Sequence, residues 1–81
     1  MDAVLKAVTP LSGYRLELRF QNGSTAVVNM ERRIGTLRFA PLALPGVFAT
    51  ARAEGDRVVW QNGGTPFGVY CAELLDAMLM D

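Results

Sequence analysis

The chain has no histidine and a single cysteine, Cys71. Without histidine, no side chain has an ordinary pKa near neutrality, and a nucleophilic Cys71 would lack its usual activating base. One cysteine cannot form an intrachain disulfide or a zinc cluster. We therefore expect Cys71 to be a small buried residue, and we predict no catalytic residue, no metal site and no cofactor.

The chain also lacks an excess of charge of either sign, because eight Lys and Arg balance eight Asp and Glu. Nucleic-acid binders usually carry a basic patch, so nucleic acid is a disfavoured partner. No apolar run reaches the 18 or so residues of a membrane span, and the first residues do not look like a signal peptide. Together with the free thiol, these features favour a cytoplasmic protein with no membrane contact.

What the chain has is apolar residues, which make up 51% of its 81 positions. We expect one domain covering residues 1–81, which at this size buries about 60–65% of the surface that the unfolded chain exposes. Two interpretations stay open. Either the core is rich in Ala and Val, or some apolar surface is covered by a partner or a second copy.

The most informative stretch is residues 14–30, whose first half alternates apolar and charged side chains, as a strand with one dry face does. A two-residue turn at Asn22-Gly23 would place Val28 on the charged face, whereas a three-residue loop places it opposite Leu16. Because a one-residue slip turns every side chain over, burial favours the second register, with a type I turn closed by a left-handed Gly23. The predicted pairs are Phe20–Ser24, Leu18–Ala26, Leu16–Val28 and Tyr14–Met30.

We predict an α+β fold in which one antiparallel sheet of about five strands carries a C-terminal helix on one face. The helix, at about 69–80, follows from apolar side chains at helical spacing. Breaks are predicted at residues 10–13 and 62–66, because proline lacks a backbone donor and glycine relaxes the chain. The predicted strands are residues 3–9, 14–20, 24–30, 47–53 and 57–61.

Residues 31–46 show no clean period and are predicted to form a loop over the sheet, with one helical turn near 41–44. Their apolar side chains should be partly buried, and any that are exposed form the favoured contact surface. These side chains are Ile34, Leu37, Phe39, Leu42 and Leu44.

The sequence also contains an internal similarity, or echo, since residues 20–25 resemble residues 60–65. The echo indicates either a duplicated unit or two strands that end in the same turn chemistry.

Several of these residues follow a familiar order and spacing: Tyr14, Leu16, Leu18, Phe20, Asn22, Gly23, Phe39, Pro41, Leu42, Phe48, Val59, Trp60, Asn62 and Gly63. In them the chain resembles the DUF2442 family of small bacterial proteins over nearly its whole length. The resemblance implies an α+β domain with an antiparallel sheet. It also implies the smaller half of a two-gene pair, reminiscent of toxin–antitoxin loci. The molecular function of that family is not established.

The chain departs from the family at two places. Asn29 stands where the family usually has an acidic residue, and Thr65 lies where an Asp often follows the Trp-x-Asn-Gly turn. Whatever those carboxylates do in the family is therefore in doubt here. Thr65 is instead a candidate cap for a helical turn that begins at Pro66.

The function that we predict is a non-enzymatic protein-interaction module, the antitoxin-like or regulatory half of a two-gene pair. A neighbour-encoded protein is the first candidate partner, and self-association through a sheet edge or the helix face is the second. The alternative is a nucleic-acid-associated regulator that acts with a partner. The candidate contact residues are Trp60, Leu37 and Phe39, with Arg38 at the rim, because Trp and Arg are enriched at interfaces.

Each candidate also has a plainer interpretation. Trp60 is a core aromatic packed against the helix if it is not an interface anchor. The carboxylates Glu73 and Asp76 are solvated charges unless one of them lines a pocket. The arginines on the first strand and in the middle loop are expected to be solvated.

Overall fold

A computed structural model describes residues 4–78, with side chains described up to residue 75. It contains two three-stranded antiparallel sheets and a short C-terminal helix. The first sheet has the order β1 (Leu5–Leu11), β2 (Arg15–Phe20), β3 (Thr25–Asn29), and the second has the order β4 (Arg52–Glu54), β5 (Arg57–Asn62), β6 (Thr65–Tyr70). Helix α1 is Cys71–Met78, and short 3₁₀ turns lie at Ala40–Ala43 and Phe48–Thr50. The predicted α+β class is confirmed, but the single five-stranded sheet is wrong.

The first hairpin has the predicted register. Leu16 pairs with Val28, and Leu18 pairs with Ala26. The Phe20 amide donates to the Ser24 carbonyl at 2.9 Å, and Gly23 has a φ of +92°. This is the arrangement of a three-residue loop closed by a left-handed glycine. Burial was the right criterion for the register, since Leu16 and Val28 are both fully buried, although Val27 is exposed on the outer face.

Strand β1 continues through Pro10 to Leu11, so the predicted break at residues 10–13 begins too early. Pro10 lies opposite Leu16, whose backbone groups bond to β3 and not to β1. In an antiparallel ladder, the backbone N–H and C=O groups of every second residue point away from a given neighbouring strand. Pro10 occupies such a position relative to β2. Its missing donor therefore removes no bond between β1 and β2.

Strand β6 corrects the prediction for the second half of the chain, where residues 62–66 were expected to break the sheet. Thr65 and Pro66 lie in β6, so Thr65 pairs with Asn62 and does not cap a helix. The backbone nitrogen of Pro66 points away from β5, by the same alternation that applies to Pro10, so its missing donor removes no bond between β5 and β6. The helix begins at Cys71 and not at residue 69, and its predicted end at residue 80 lies outside the described residues.

The predicted strand at residues 47–53 is also wrong, because its first half is a 3₁₀ turn and only Arg52–Glu54 is a strand. The Thr50 hydroxyl donates to the Val47 carbonyl at 2.6 Å and accepts the Gln61 amide at 2.8 Å. A threonine side chain that bonds to backbone in this way competes with the ladder of a strand. The same hydroxyl fixes the turn to β5.

The two sheets and the helix enclose one core. At the junction of the sheets, the Leu5 amide donates to the Gly55 carbonyl at 2.8 Å. At the start of the helix, the Cys71 amide donates to the Asp56 carbonyl at 2.7 Å, which ties the helix to the β4–β5 turn. Helix α1 contacts both β3 and β6. The middle segment lies over this core, with its predicted helical turn at Ala40–Ala43. Three of its apolar side chains are buried, namely Ile34, Phe39 and Leu42, whereas Leu37 and Leu44 are exposed.

Candidate functional site

Trp60 lies at the centre of the core, with 0% of its surface exposed. Its β5 position, opposite Phe67, points the indole between the two sheets and away from solvent. The plainer interpretation, a core aromatic, is therefore the one that the structure bears out. The indole Nε1–H has no hydrogen-bond partner among the described residues. An unpaired buried donor of this kind costs about 1–3 kcal/mol.

Trp60 is the middle member of a chain of aromatic rings. Its ring centroid lies 6.2 Å from that of Phe48 and 5.8 Å from that of Phe67. Phe48 in turn meets Tyr14 edge-on at 5.2 Å, and Phe67 meets Phe39 edge-on at 6.1 Å. The two outer pairs have the favoured edge-on geometry, whereas the two pairs of Trp60 are tilted, at 34° and 40° between ring planes. The chain of rings therefore connects half-buried Tyr14 to buried Phe39.

The other predicted contact residues lie at the Phe39 end of this chain. Leu37 is 94% exposed, whereas Phe39 is buried. The Arg38 guanidinium lies 5.4 Å above the Phe39 ring and bonds to Glu73 on the helix, with 2.8 Å between Nη2 and Oε1. The structure thus brings Arg38 and Phe39 together but leaves Leu37 as an isolated exposed leucine. A single exposed leucine needs no functional explanation.

A second surface, at the Tyr14 end, is a contiguous apolar depression. It is an open groove of about 300 Å³ between the β1–β2 turn and the end of the middle segment. We call it the Tyr14 groove, and its principal residues are Pro10, Leu11, Tyr14, Leu44, Pro45 and Phe48. Among the residues that the structure describes, no charged side chain lines it. Leu11 and Leu44 are two of the exposed large apolar side chains, and Leu44 is 50% exposed.

Tyr14 adopts a left-handed backbone conformation, with a φ of +57°. For a bulky residue this conformation is an outlier that costs about 1–2 kcal/mol. Two contacts maintain it, because the Met30 amide donates to the Tyr14 carbonyl at 2.9 Å and the ring packs against Phe48. Strain that the surroundings maintain in this way is concentrated at ligand-binding and switch regions.

The outer face of the second sheet has a charged depression of about 270 Å³, lined in part by Arg52, Glu54 and Arg57. These charges pair with one another: Arg52 Nη2 lies 2.8 Å and Arg57 Nη2 lies 3.8 Å from Glu54 carboxylate oxygens. The pairs are exposed, and because two arginines share one glutamate, the group keeps a single net positive charge. This surface is not the basic stripe that a nucleic-acid site needs.

The described residues also do not form a nucleophilic or metal-binding site. Cys71 is buried, and desolvation, followed by the charge of Asp56, raises the pKa of its thiol above the ordinary value. A thiol in that state is a poor nucleophile. Within residues 4–78, no three His, Cys, Asp or Glu side chains are grouped so that they could hold a metal ion. Glu73 bonds to Arg38 and lines neither depression, while the Asp76 side chain lies outside the described residues.

The sequence did not indicate most of the Tyr14 groove. Leu44 belongs to the middle segment that was predicted as a contact surface wherever it is exposed. Phe48 is predicted to lie in a strand, and Tyr14 is predicted to begin a strand opposite Met30, a pairing that the backbone bond between them confirms. The groove forms where segments far apart in the sequence meet, and no local pattern encodes such a meeting.

Comparison with protein-family models, with curated proteins and with solved structures finds no match for this chain. The resemblance to the DUF2442 family therefore stays a prediction that rests on the residues quoted above. No helix within the described residues is both long enough and apolar enough to cross a membrane.

Proposed function

We propose that this chain is a non-enzymatic protein-interaction domain that binds an uncharged, apolar segment of another protein in the Tyr14 groove. The observation that supports the proposal most is the wall of the groove, where Tyr14 is kept in a strained left-handed conformation beside exposed Leu11 and Leu44. Contiguous exposed apolar surface is typical of protein contacts.

The chemistry of the groove determines what it can bind. Aromatic, proline and leucine side chains form its surface, and no charge is available to orient an ionic ligand. Its volume of about 300 Å³ is at the lower limit of small-molecule pockets, and it is open to solvent. One or two apolar side chains that project from a partner protein suit such a groove better than an enclosed small molecule.

The first candidate for that protein is the product of the neighbouring gene, because the family resemblance implies a two-gene pair. In that arrangement this chain would be the antitoxin-like or regulatory half. The balanced charge of the chain supports a contact based on burial of apolar surface more than a contact with nucleic acid.

Co-purification of the tagged chain with the co-expressed neighbour protein tests the proposal. We expect equal stoichiometry with the wild type and with Val4→Asp, an exposed apolar position that does not line the groove. Leu44→Asp places a charge in the groove and should weaken binding at least about tenfold, because a buried carboxylate has no partner there. The folding of each variant is checked by circular dichroism.

A Leu37→Asp variant separates the two candidate surfaces. If Leu37→Asp abolishes co-purification and Leu44→Asp does not, the contact surface is the loop around Leu37 and the groove proposal is wrong. If the wild type does not co-purify with the neighbour protein at all, the two-gene interpretation is wrong as well.

A further inference from the structure

The outer edge of β3 pairs with no other strand of residues 4–78. Bonds from Phe20 to Ser24 and from Met30 to Tyr14 show that the even-numbered residues of β3 face β2. The amides and carbonyls of Thr25, Val27 and Asn29 therefore point outward. No hydrogen bond from any described residue reaches these outward groups. The helix contacts β3 from the core side, where Leu74 and Val28 belong to one cluster.

The other outer strands carry features that discourage pairing with another chain. β1 has Pro10 at an outward position and an irregular register between Leu5 and Ala7. β6 has Pro66 at an outward position, and β4 is only three residues long with a charged residue at each end. Proline, charge, short length and irregularity are the usual means of protecting an edge. β3, whose sequence is Thr-Ala-Val-Val-Asn, has none of these.

We propose that the β3 edge pairs with the β3 edge of a second copy of this chain, antiparallel and with the two-fold axis at Val27. In this register Val27 lies opposite Val27, and Thr25 lies opposite Asn29. All three residues have outward backbone groups, so every pair is a hydrogen-bonded pair. The two first sheets would then form one continuous six-stranded sheet. The inference goes beyond the proposed function, because it concerns another surface and another partner.

The side chains of β3 suit this symmetric pairing. Val27 is 42% exposed on the outer face and would be covered by its own copy. A two-fold interface has to be complementary to itself, and β3 presents small apolar and neutral polar side chains about its middle residue. Edge pairing of this kind derives its affinity from backbone bonds and its register from side chains.

Electrostatic repulsion does not oppose the pairing. The charged residues on the outer face, Arg15, Glu17 and Arg19, lie on β2, one strand behind the edge. Across the interface, Glu17 and its copy would be three strand spacings apart, about 14 Å, which exceeds the screening length of about 8–10 Å in salt. The whole chain has a net charge of zero.

The interface is small, since it comprises five residues from each copy. Its area is therefore below that of a standard stable interface, and we expect a dimer that forms as concentration rises. Sedimentation equilibrium over a wide concentration range should show the mass approaching twice 8.8 kDa. A mass that stays at that of one chain up to millimolar concentration would overturn the proposal.

Val27→Lys is the decisive variant. Within one chain, position 27 lies opposite Glu17. A lysine there adds a favourable cross-strand charge pair, so the fold should be retained. Across the two-fold axis it places two positive charges directly opposite each other, and the dimer dissociation constant should rise at least about tenfold. Leu37→Lys, which makes the same change of charge at an exposed residue outside β3, should leave dimerisation unchanged. Equal effects of the two variants would contradict the proposal.

Disulfide crosslinking tests the register. Directly opposite residues in a hydrogen-bonded antiparallel pair have Cα atoms about 5.5 Å apart, which a disulfide can span. Val27→Cys should crosslink to itself under mild oxidation, and Thr25→Cys should crosslink with Asn29→Cys but not with itself. Dimers in which Thr25→Cys crosslinks to itself and Val27→Cys does not would show a different register and refute the two-fold at Val27.

The two proposals can fail independently. Val27→Lys should keep the co-purification with the neighbour protein, and Leu44→Asp should keep the dimer. If Val27→Lys instead abolishes binding to the neighbour protein while the wild type alone is monomeric, the β3 edge pairs with a strand of that protein, and self-pairing is wrong.

Discussion

The turn between β5 and β6 offers a sharp test of the fold, because its two central residues are both glycine and differ in conformation. Gly63 has a φ of +65°, whereas the φ of Gly64 is not positive. Asn62 pairs with Thr65 across them, so they form a two-residue hairpin loop. A positive φ at the first central residue alone is the type II′ arrangement. We predict that alanine substitutions at these two neighbours have different effects.

The size of the difference follows from the backbone. A Cβ atom built at either glycine meets no atom within 4 Å, so neither alanine is opposed by a clash. Gly64→Ala restricts the unfolded chain and should stabilise the protein by about 0.4–1 kcal/mol. Gly63→Ala gains the same unfolded-state effect but places an L side chain in the left-handed region, at a cost of about 1–2 kcal/mol. The unfolded-state effect cancels between the variants, so Gly63→Ala should be the less stable by about 1–2 kcal/mol.

Thermal and urea denaturation followed by circular dichroism measure this difference. For a chain of this length, 1 kcal/mol corresponds to about 4–8 °C in melting temperature, so the separation is readily resolved. Equal destabilisation of both variants would indicate a type I′ turn, in which both residues have positive φ. Equal stabilisation of both would show that residues 62–65 are not a tight turn and that β6 does not pair with β5 as described. Either result would refute the reasoning.

Three further predictions concern the core, the thiol and the surface ion pair. Leu18→Ala should lower the free energy of unfolding by about 2–5 kcal/mol, because Leu18 is fully buried, whereas Arg19→Ala on the outer face should change it by less than about 0.5 kcal/mol. The Cys71 thiol should react with a thiol reagent only after unfolding. Because its pKa is raised in the folded state, stability should fall as pH rises above the ordinary thiol pKa, and this part of the pH dependence should vanish in Cys71→Ala. Arg38→Ala should cost less than about 1 kcal/mol in urea denaturation, because its pair with Glu73 is largely exposed and screened by solvent.

The first half of the chain could be predicted because its pattern and its burial agree. Leu16 and Leu18 alternate with charged residues, and the partner strand offers only one register that buries its own apolar side chains. Pro10 misled the prediction, because a proline was taken to end a strand. A proline ends a strand only where its N–H would be bonded to a neighbour, and which residues face a neighbour depends on a pairing that the local sequence does not show.

The second half was harder because its apolar residues do not separate cleanly between two faces. Val58, Val59 and Trp60 are consecutive and all buried, so no alternation marks the strand. In β6, Phe67 and Val69 do alternate with outward residues, but Pro66 concealed that pattern. The signal that could have identified the strand is the Gly63-Gly64 pair, since adjacent glycines between two apolar runs are typical of a hairpin.

The internal echo is more informative with the structure than without it. A strand follows both copies of the shared sequence, whereas a helix was expected after the second. In the first hairpin, the Asn22 position belongs to the loop, but in the second, Asn62 stays in the strand and the glycines after it make the turn. Asn22 and Asn62, which match in the two sequences, therefore occupy different positions in the two hairpins.

The strain at Tyr14 bears on why the groove is a better candidate site than the loop around Leu37. The left-handed conformation costs about 1–2 kcal/mol, and an aromatic pair such as that with Phe48 returns about 0.5–1.5 kcal/mol. The two terms nearly cancel, so a tyrosine is preferred here over a glycine or asparagine for the apolar area that its ring buries against the core and for the surface that it gives the groove. A tyrosine at this position gives the groove an aromatic wall next to exposed leucines. Leu37, by contrast, is exposed but does not line the groove. The residue at position 14 therefore agrees with the proposed contact in the groove, which the co-purification of Leu44→Asp tests.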